Sequence, residues 1–186
     1  MNAYLAEFLG TALLIVFGNG VVANVVLNRT KGNQSGWIVI AAGWGLAVFI
    51  GAFCSAPYSG AHLNPAVTVA MAIAGKLELA KVVGYLAAQM VGAIVGAVLV
   101  FLHYRAHFRA TEDGDAKLAC FCTSPNIRNL PQAFFCEAFG TFCLILPIFL
   151  MTDVTVPTSG GAESTDVVVG LGSLGLVPVA LVVFAI

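Results

Sequence analysis

Long apolar blocks separated by short polar breaks dominate the chain, and they predict helices that cross a membrane. Five blocks have the length, Ala3–Leu27, Trp37–Ala56, Val82–Leu102, Ala133–Thr152 and Val167–Ile186. Each approaches the ~20 residues that carry a helix across a ~30 Å hydrocarbon core. The first block carries Glu7, Asn19 and Asn24 and has no basic leader, so it reads as a span and not as a cleaved signal. The breaks hold most of the charge. Asn28–Gly36 carries Arg29 and Lys31, Tyr104–Pro131 carries most of the remaining charged groups, and Asp153–Asp166 is polar and rich in Gly, Ser and Thr.

One break differs from the rest. Between the second and third spans, the turn-rich Pro57-Tyr58-Ser59-Gly60 runs through Ala61-His62-Leu63 into Asn64-Pro65-Ala66 and then an apolar run ending at Gly75. Asn64 suits an N-cap, Pro65 the first helical position and Gly75 a C-terminal stop. A helix of about ten residues is roughly 15 Å long, half the bilayer core. An apolar half-helix reached through a polar loop predicts re-entry. Irregular backbone survives at membrane depth only when buried in protein or lining a wet cavity. Gly60, Ala61, His62 and Leu63 would then present carbonyls along a path, and the Asn64 amide would donate into it from the positive end of a helix.

The pattern also repeats. Glu7-Phe-Leu-Gly10-Thr11 matches Glu137-Ala-Phe-Gly140-Thr141, followed in each case by Leu-Ile, and Leu46–Phe49 resembles Leu181–Phe184. The matched units put residues 1–103 in a first repeat, 104–131 in a linker and 132–186 in a second, incomplete repeat. An odd number of spans between matched segments predicts opposite insertion of the halves. The counterpart of Asn64 should fall beyond Ile186, so the chain is expected to be a fragment of a longer protein. Glu7 and Glu137 lie in apolar spans with no Lys or Arg beside them. An ionised carboxylate there needs donors, and the free backbone N–H groups of a re-entrant loop supply them. Both glutamates are therefore candidate loop braces.

Composition narrows the classes. The chain is 60% hydrophobic and 9% charged, with a mean hydropathy of +0.97, too little charge to cover a soluble domain. A net charge of −1 argues against a nucleic-acid partner. His103 and His107 near Cys120 and Cys122 lack a familiar metal spacing, and no nucleophile, acid–base pair or cofactor motif stands out. No enzyme activity, cofactor or metal is expected.

Ser59-Gly-Ala-His-Leu-Asn-Pro-Ala-Val-Thr68 closely resembles the first signature loop of the major intrinsic protein family, the aquaporins and glycerol facilitators. Ala6–Thr11 and Gln89-Met-Val-Gly92-Ala93 are similar to that family's first and third helices. The resemblance implies an all-α, aquaporin-like inverted repeat of six helices and two half-helices, of which five helices and one half-helix are expected within this chain. It also implies a homotetramer in the cell membrane, a pore in each subunit, and Asn64 as a solute hydrogen-bond donor. Trp44 falls where the family places an aromatic residue of its outer filter, Trp in glycerol facilitators and Phe in water-selective members. The expected pore-lining set is therefore Trp44 with Gly60, Ala61, His62, Leu63, Asn64, Pro65 and Ala66. Glycerol, small polyols and water are the expected solutes, and a water-selective channel is the alternative. The family's cytoplasmic N-terminus would leave only Lys76 and Lys81 among the cations inside, against the usual charge bias.

Overall fold

The computed structural model describes residues 1–151, 155–157, 166–168 and 172–186. Its helices are α1 (Ala3–Val26), α2 (Trp37–Ser59), α3 (Pro65–Ile73), α4 (Leu79–His103), α5 (Arg105–Ala110), α6 (Gly114–Ala119), α7 (Leu130–Leu150) and α8 (Val177–Ala185). A short antiparallel pair, β1 (Thr155–Pro157) and β2 (Asp166–Val168), aligns Thr155 with Val168. Among the described residues, α1, α2, α4 and α7 are long and apolar enough to cross a bilayer.

α1 is the spine. Asn2 starts it, its Oδ1 accepting from Leu5 N at 2.8 Å, and its buried face lies against α2 and α4. In a bilayer, apolar burial does not drive helices together, so close van der Waals approach has to. Glycine makes that approach feasible. A methyl group on Gly51 would sit 2.7 Å from the Gly10 carbonyl oxygen, and one on Gly96 2.7 Å from that of Ala12. Gly92, one turn before Gly96, lies on the Phe8 carbonyl in the same way. These backbones pass too closely for any larger residue.

Two expectations change here. The turn expected from Pro57 begins only at Gly60, because Pro57 is accommodated in the last turns of α2. The ring removes the donor that would reach the Phe53 carbonyl, a single lost bond close to the end of the helix. The expected fifth span, Val167–Ile186, is not one long helix. Val167 and Val168 belong to β2, Gly172–Leu176 is a 3-10 turn, and α8 starts at Val177. Gly172 adopts a left-handed φ of +55°, and Pro178, lacking an N–H, fits only the first turn of a helix. Hydropathy is continuous across that segment and helix propensity is not.

The linker, residues 104–131, folds into α5 and α6, and Phe108 and Cys120 join Ala23, Leu27 and Val100 in a buried cluster at the ends of α1 and α4. Asn28 N donates to Thr111 Oγ1 at 2.8 Å, and His107 Nδ1 lies 3.1 Å from the Asn28 carbonyl oxygen. Burial pushes the Cys120 thiol up to about 11. By contrast α7 is largely exposed, presenting Phe134, Phe135, Phe139 and Phe142. It meets the remaining helices through α3 and α8, and the Lys76 ammonium lies 5.0 Å from the Phe149 ring centre.

Candidate functional site

The half-helix α3 is built from local chemistry. Asn64 is extended, with φ −148° and ψ 127°, and its Oδ1 accepts from Ala66 N at 2.8 Å. Pro65 follows at the first helical position, where its missing donor costs nothing. Nine residues from Pro65 to Ile73 span roughly 14 Å. The connection from α2 is strained. Gly60 turns left-handed at φ +82°, and so do Ala61 at +52° and Leu63 at +50°. For residues with a Cβ that conformation costs about 1–2 kcal/mol each.

What holds the loop is Glu7, which is fully buried. Its Oε1 accepts from Ser59 Oγ at 2.6 Å and His62 N at 3.0 Å, and its Oε2 from Leu63 N and Gln89 Nε2, both at 2.8 Å. Each carboxylate oxygen therefore has two donors, and two of the four are loop backbone N–H groups that no helix serves. A second layer surrounds this one. Gln89 Nε2 also donates to Thr68 Oγ1 at 2.9 Å, and the Tyr85 hydroxyl donates to the Ser59 carbonyl at 2.9 Å. Thr68 Oγ1 donates to the Asn64 carbonyl at 3.2 Å, and His62 Nδ1 lies 3.2 Å from the same hydroxyl. One assignment satisfies every partner: Thr68 gives its single proton to Asn64, and His62 reaches it as an Nδ1–H donor. The sequence marks Glu7 and the loop, but not Ser59 and Gln89 as partners of Glu7 or Tyr85 as a partner of the loop. The signal was present in Gln89, an amide in an apolar span.

Trp44 lies at another level. Its half-buried ring occupies the space beside Gly18, where a Cβ would collide with it. Leu63, from the loop, sits against Gly10 of the same helix. Eight residues of α-helix separate those two glycines, roughly 12 Å along the axis. Trp44 lines a cavity of about 1090 Å³ together with α1, the linker residues Ala119 and Phe121–Ser124, and the end of α8. Gly60–Ala66 are not part of its wall.

The remaining candidates lie apart from these. Glu137 is exposed on α7 and makes no hydrogen bond among the described residues. His103 stacks edge-on with Tyr104, and His107 serves the Asn28 carbonyl. Among the described residues, no three His, Cys, Asp or Glu side chains gather as a metal site would require.

A half-helix capped by Asn64, entered through a strained loop that a buried glutamate holds, agrees with a family-wide match: the model described as "Major intrinsic protein" covers residues 1–182. The chain belongs to the major intrinsic protein family. Among similar proteins of this family, the chain is 52% identical over 148 residues to the probable glycerol uptake facilitator protein of Thermotoga maritima, covering 80% of this chain and 63% of that protein. It is 49% identical over 151 residues to the glycerol uptake facilitator protein of Streptococcus pneumoniae strain R6, with 81% and 64% covered. The X-ray structure of the aquaglyceroporin from Plasmodium falciparum matches with a TM-score of 0.75 at 30% identity, covering 98% of this chain and 69% of that one. The chain thus spans just under two thirds of the length of the facilitators it matches. Membership and the four long apolar helices make it a multi-pass membrane protein of the aquaporin-like, all-α fold.

Proposed function

We propose that the protein is a passive channel of the cell membrane for small neutral solutes, glycerol and small polyols foremost and water with them. The observation that carries this is the Asn64 half-helix, locked by Glu7 through the backbone of His62 and Leu63. A loop bent left-handed at three residues is costly, and its bracing makes sense if it lines a path. Asn64 uses its oxygen to cap α3, which leaves the amide N–H₂ as the donor. A permeating hydroxyl is its natural acceptor, and the positive end of α3 disfavours cations there. Gly60, Ala61, His62 and Leu63 supply the acceptors of the path, and Pro65 and Ala66 fix the start of α3. Glu7 braces the loop, and Glu137 is proposed to play the same part in the second repeat.

Trp44 favours glycerol over water alone. An indole wall accommodates the CH side of a polyol while hydroxyls face polar groups, and the facilitators named above agree with that reading. Transport without chemical change follows, with no cofactor, and we take the assembly to be a homotetramer in the bilayer. Stopped-flow light scattering on proteoliposomes carrying the protein tests it. Glycerol and water permeability above empty vesicles is the expected result; water without glycerol would transfer the assignment to a water-selective channel. Neither would remove the channel reading.

A further inference from the structure

The cavity beside Trp44 also presents one polar side chain from α1, Asn19. α1 contributes Ile15, Asn19, Val22 and Val26 to its wall, at the spacing of a single helix face. Three of the four are branched apolar residues. The fourth, Asn19, is only 7% exposed, and its amide makes no side-chain hydrogen bond among the described residues. It is the neighbour of Gly18, on which the Trp44 ring rests.

An amide on this otherwise apolar face is costly unless a group in the cavity hydrogen-bonds it. A Val or Leu at position 19 would continue the stripe with no such cost. The amide, with two donors and an acceptor, faces a space of about 1090 Å³, ample for a small solute with its water. One side of the space is indole and branched aliphatic, and the other is this amide. A small polyol has the same division, carbon-bound hydrogens on one edge and hydroxyls on the other.

We propose that Asn19 is a solute-binding, specificity-determining residue, hydrogen-bonding polyol hydroxyls while Trp44 packs against their CH groups. The inference rests on the channel reading above and adds a recognition site to it, at a level distinct from Asn64. A solute is held there before or after it passes the half-helix. Water, which needs no apolar wall, depends on the site less than a polyol does.

The test is the ratio of glycerol to water permeability in proteoliposomes, at matched protein content, for the parent, Asn19→Leu and Asn19→Ser. Leucine has nearly the shape of asparagine and no hydrogen bonds; serine keeps a donor and an acceptor. Asn19→Leu is expected to lower glycerol permeability roughly fivefold, the equivalent of one hydrogen bond near 1 kcal/mol, with water changed less than about twofold. Asn19→Ser is expected to recover most of the loss. An unchanged ratio in Asn19→Leu overturns the proposal, and so does a parallel fall of both permeabilities in both variants, which would make Asn19 structural. A parent that passes neither solute overturns the channel reading itself, a result distinct from the first two. Should Asn19→Leu fail to insert, Asn19→Ala removes the same hydrogen bonds without added bulk and is judged by the same ratio.

Discussion

Replacing Glu7 by glutamine tests the logic of the site with a change of one atom. The carboxylate accepts from Ser59 Oγ, His62 N, Leu63 N and Gln89 Nε2, two donors on each oxygen. A glutamine keeps one accepting oxygen and turns the other into an N–H₂ group. Whichever way the amide lies, that group faces a backbone N–H, of His62 in one orientation and of Leu63 in the other. Two charge-assisted hydrogen bonds are lost, about 1.5–3 kcal/mol each. Together they amount to about 3–6 kcal/mol; the neutral amide avoids part of the cost of burying a charge, which leaves a net destabilisation of about 2–4 kcal/mol. Unrelieved strain at Ala61 and Leu63 adds to it. Thermal unfolding in detergent should show a fall on the order of 5–15 °C, and glycerol flux should fall with it as the loop loosens. The swap Glu7→Gln with Gln89→Glu discriminates further. It rebuilds the contact between the two side chains but leaves the loop N–H groups short of acceptors, so little rescue is expected. If Glu7→Gln melts with the parent, Glu7 does not hold the loop; if the swap restores full stability, Glu7 serves α4 and not the loop.

Three other outcomes are expected. Gly51→Ala and Gly96→Ala each force a backbone contact apart and should cost about 1–3 kcal/mol, whereas Gly20→Ala meets nothing within 4 Å and should gain about 0.5–1 kcal/mol from helix propensity; detergent melting curves distinguish them. Gly18→Ala drives a methyl group into the Trp44 ring, and Trp44→Phe narrows the apolar wall. Each should lower glycerol permeability by about tenfold, and in the double variant the smaller ring should make room for the methyl, so the two losses should not add. Cys120, buried and with its thiol raised to about 11, stays protonated and unreactive as pH rises through 7 to 9. Exposed Cys122 should therefore be alkylated first, with Cys120 following only on unfolding or near pH 11, as mass spectrometry of maleimide adducts would show.

Much of the site was readable because its chemistry is local. The start of α3 depends on Asn64 and Pro65 alone, and both residues state their preference without tertiary help. The need of Glu7 for donors followed from charge in an apolar span, and loop N–H groups are among those it meets. Its side-chain partners were hidden, since Ser59 and Gln89 lie 52 and 82 residues away in the chain and only the crossing of α1 with α2 and α4 brings them together. The spans of α1, α2, α4 and α7 followed from hydropathy, which measures partition into lipid. The segment ending in α8 did not, because hydropathy does not register the left-handed Gly172 or the ring of Pro178. The fold of the linker was equally obscure. Its buried cluster consists of single residues, Phe108 and Cys120, spaced without a period.

The two glycines that receive Leu63 and Trp44 stand on the same face-bearing rod. Because a helix is stiff along its axis, the distance between the loop level and the indole level is set by α1 and not by either loop. A substitution that reshapes one level therefore leaves the position of the other intact. The packing around Gly18 can be altered while the Glu7 lock stays as it is, and the lock can be strengthened or weakened without moving the indole. A single helix thus acts as a ruler that fixes the spacing of the loop and the indole.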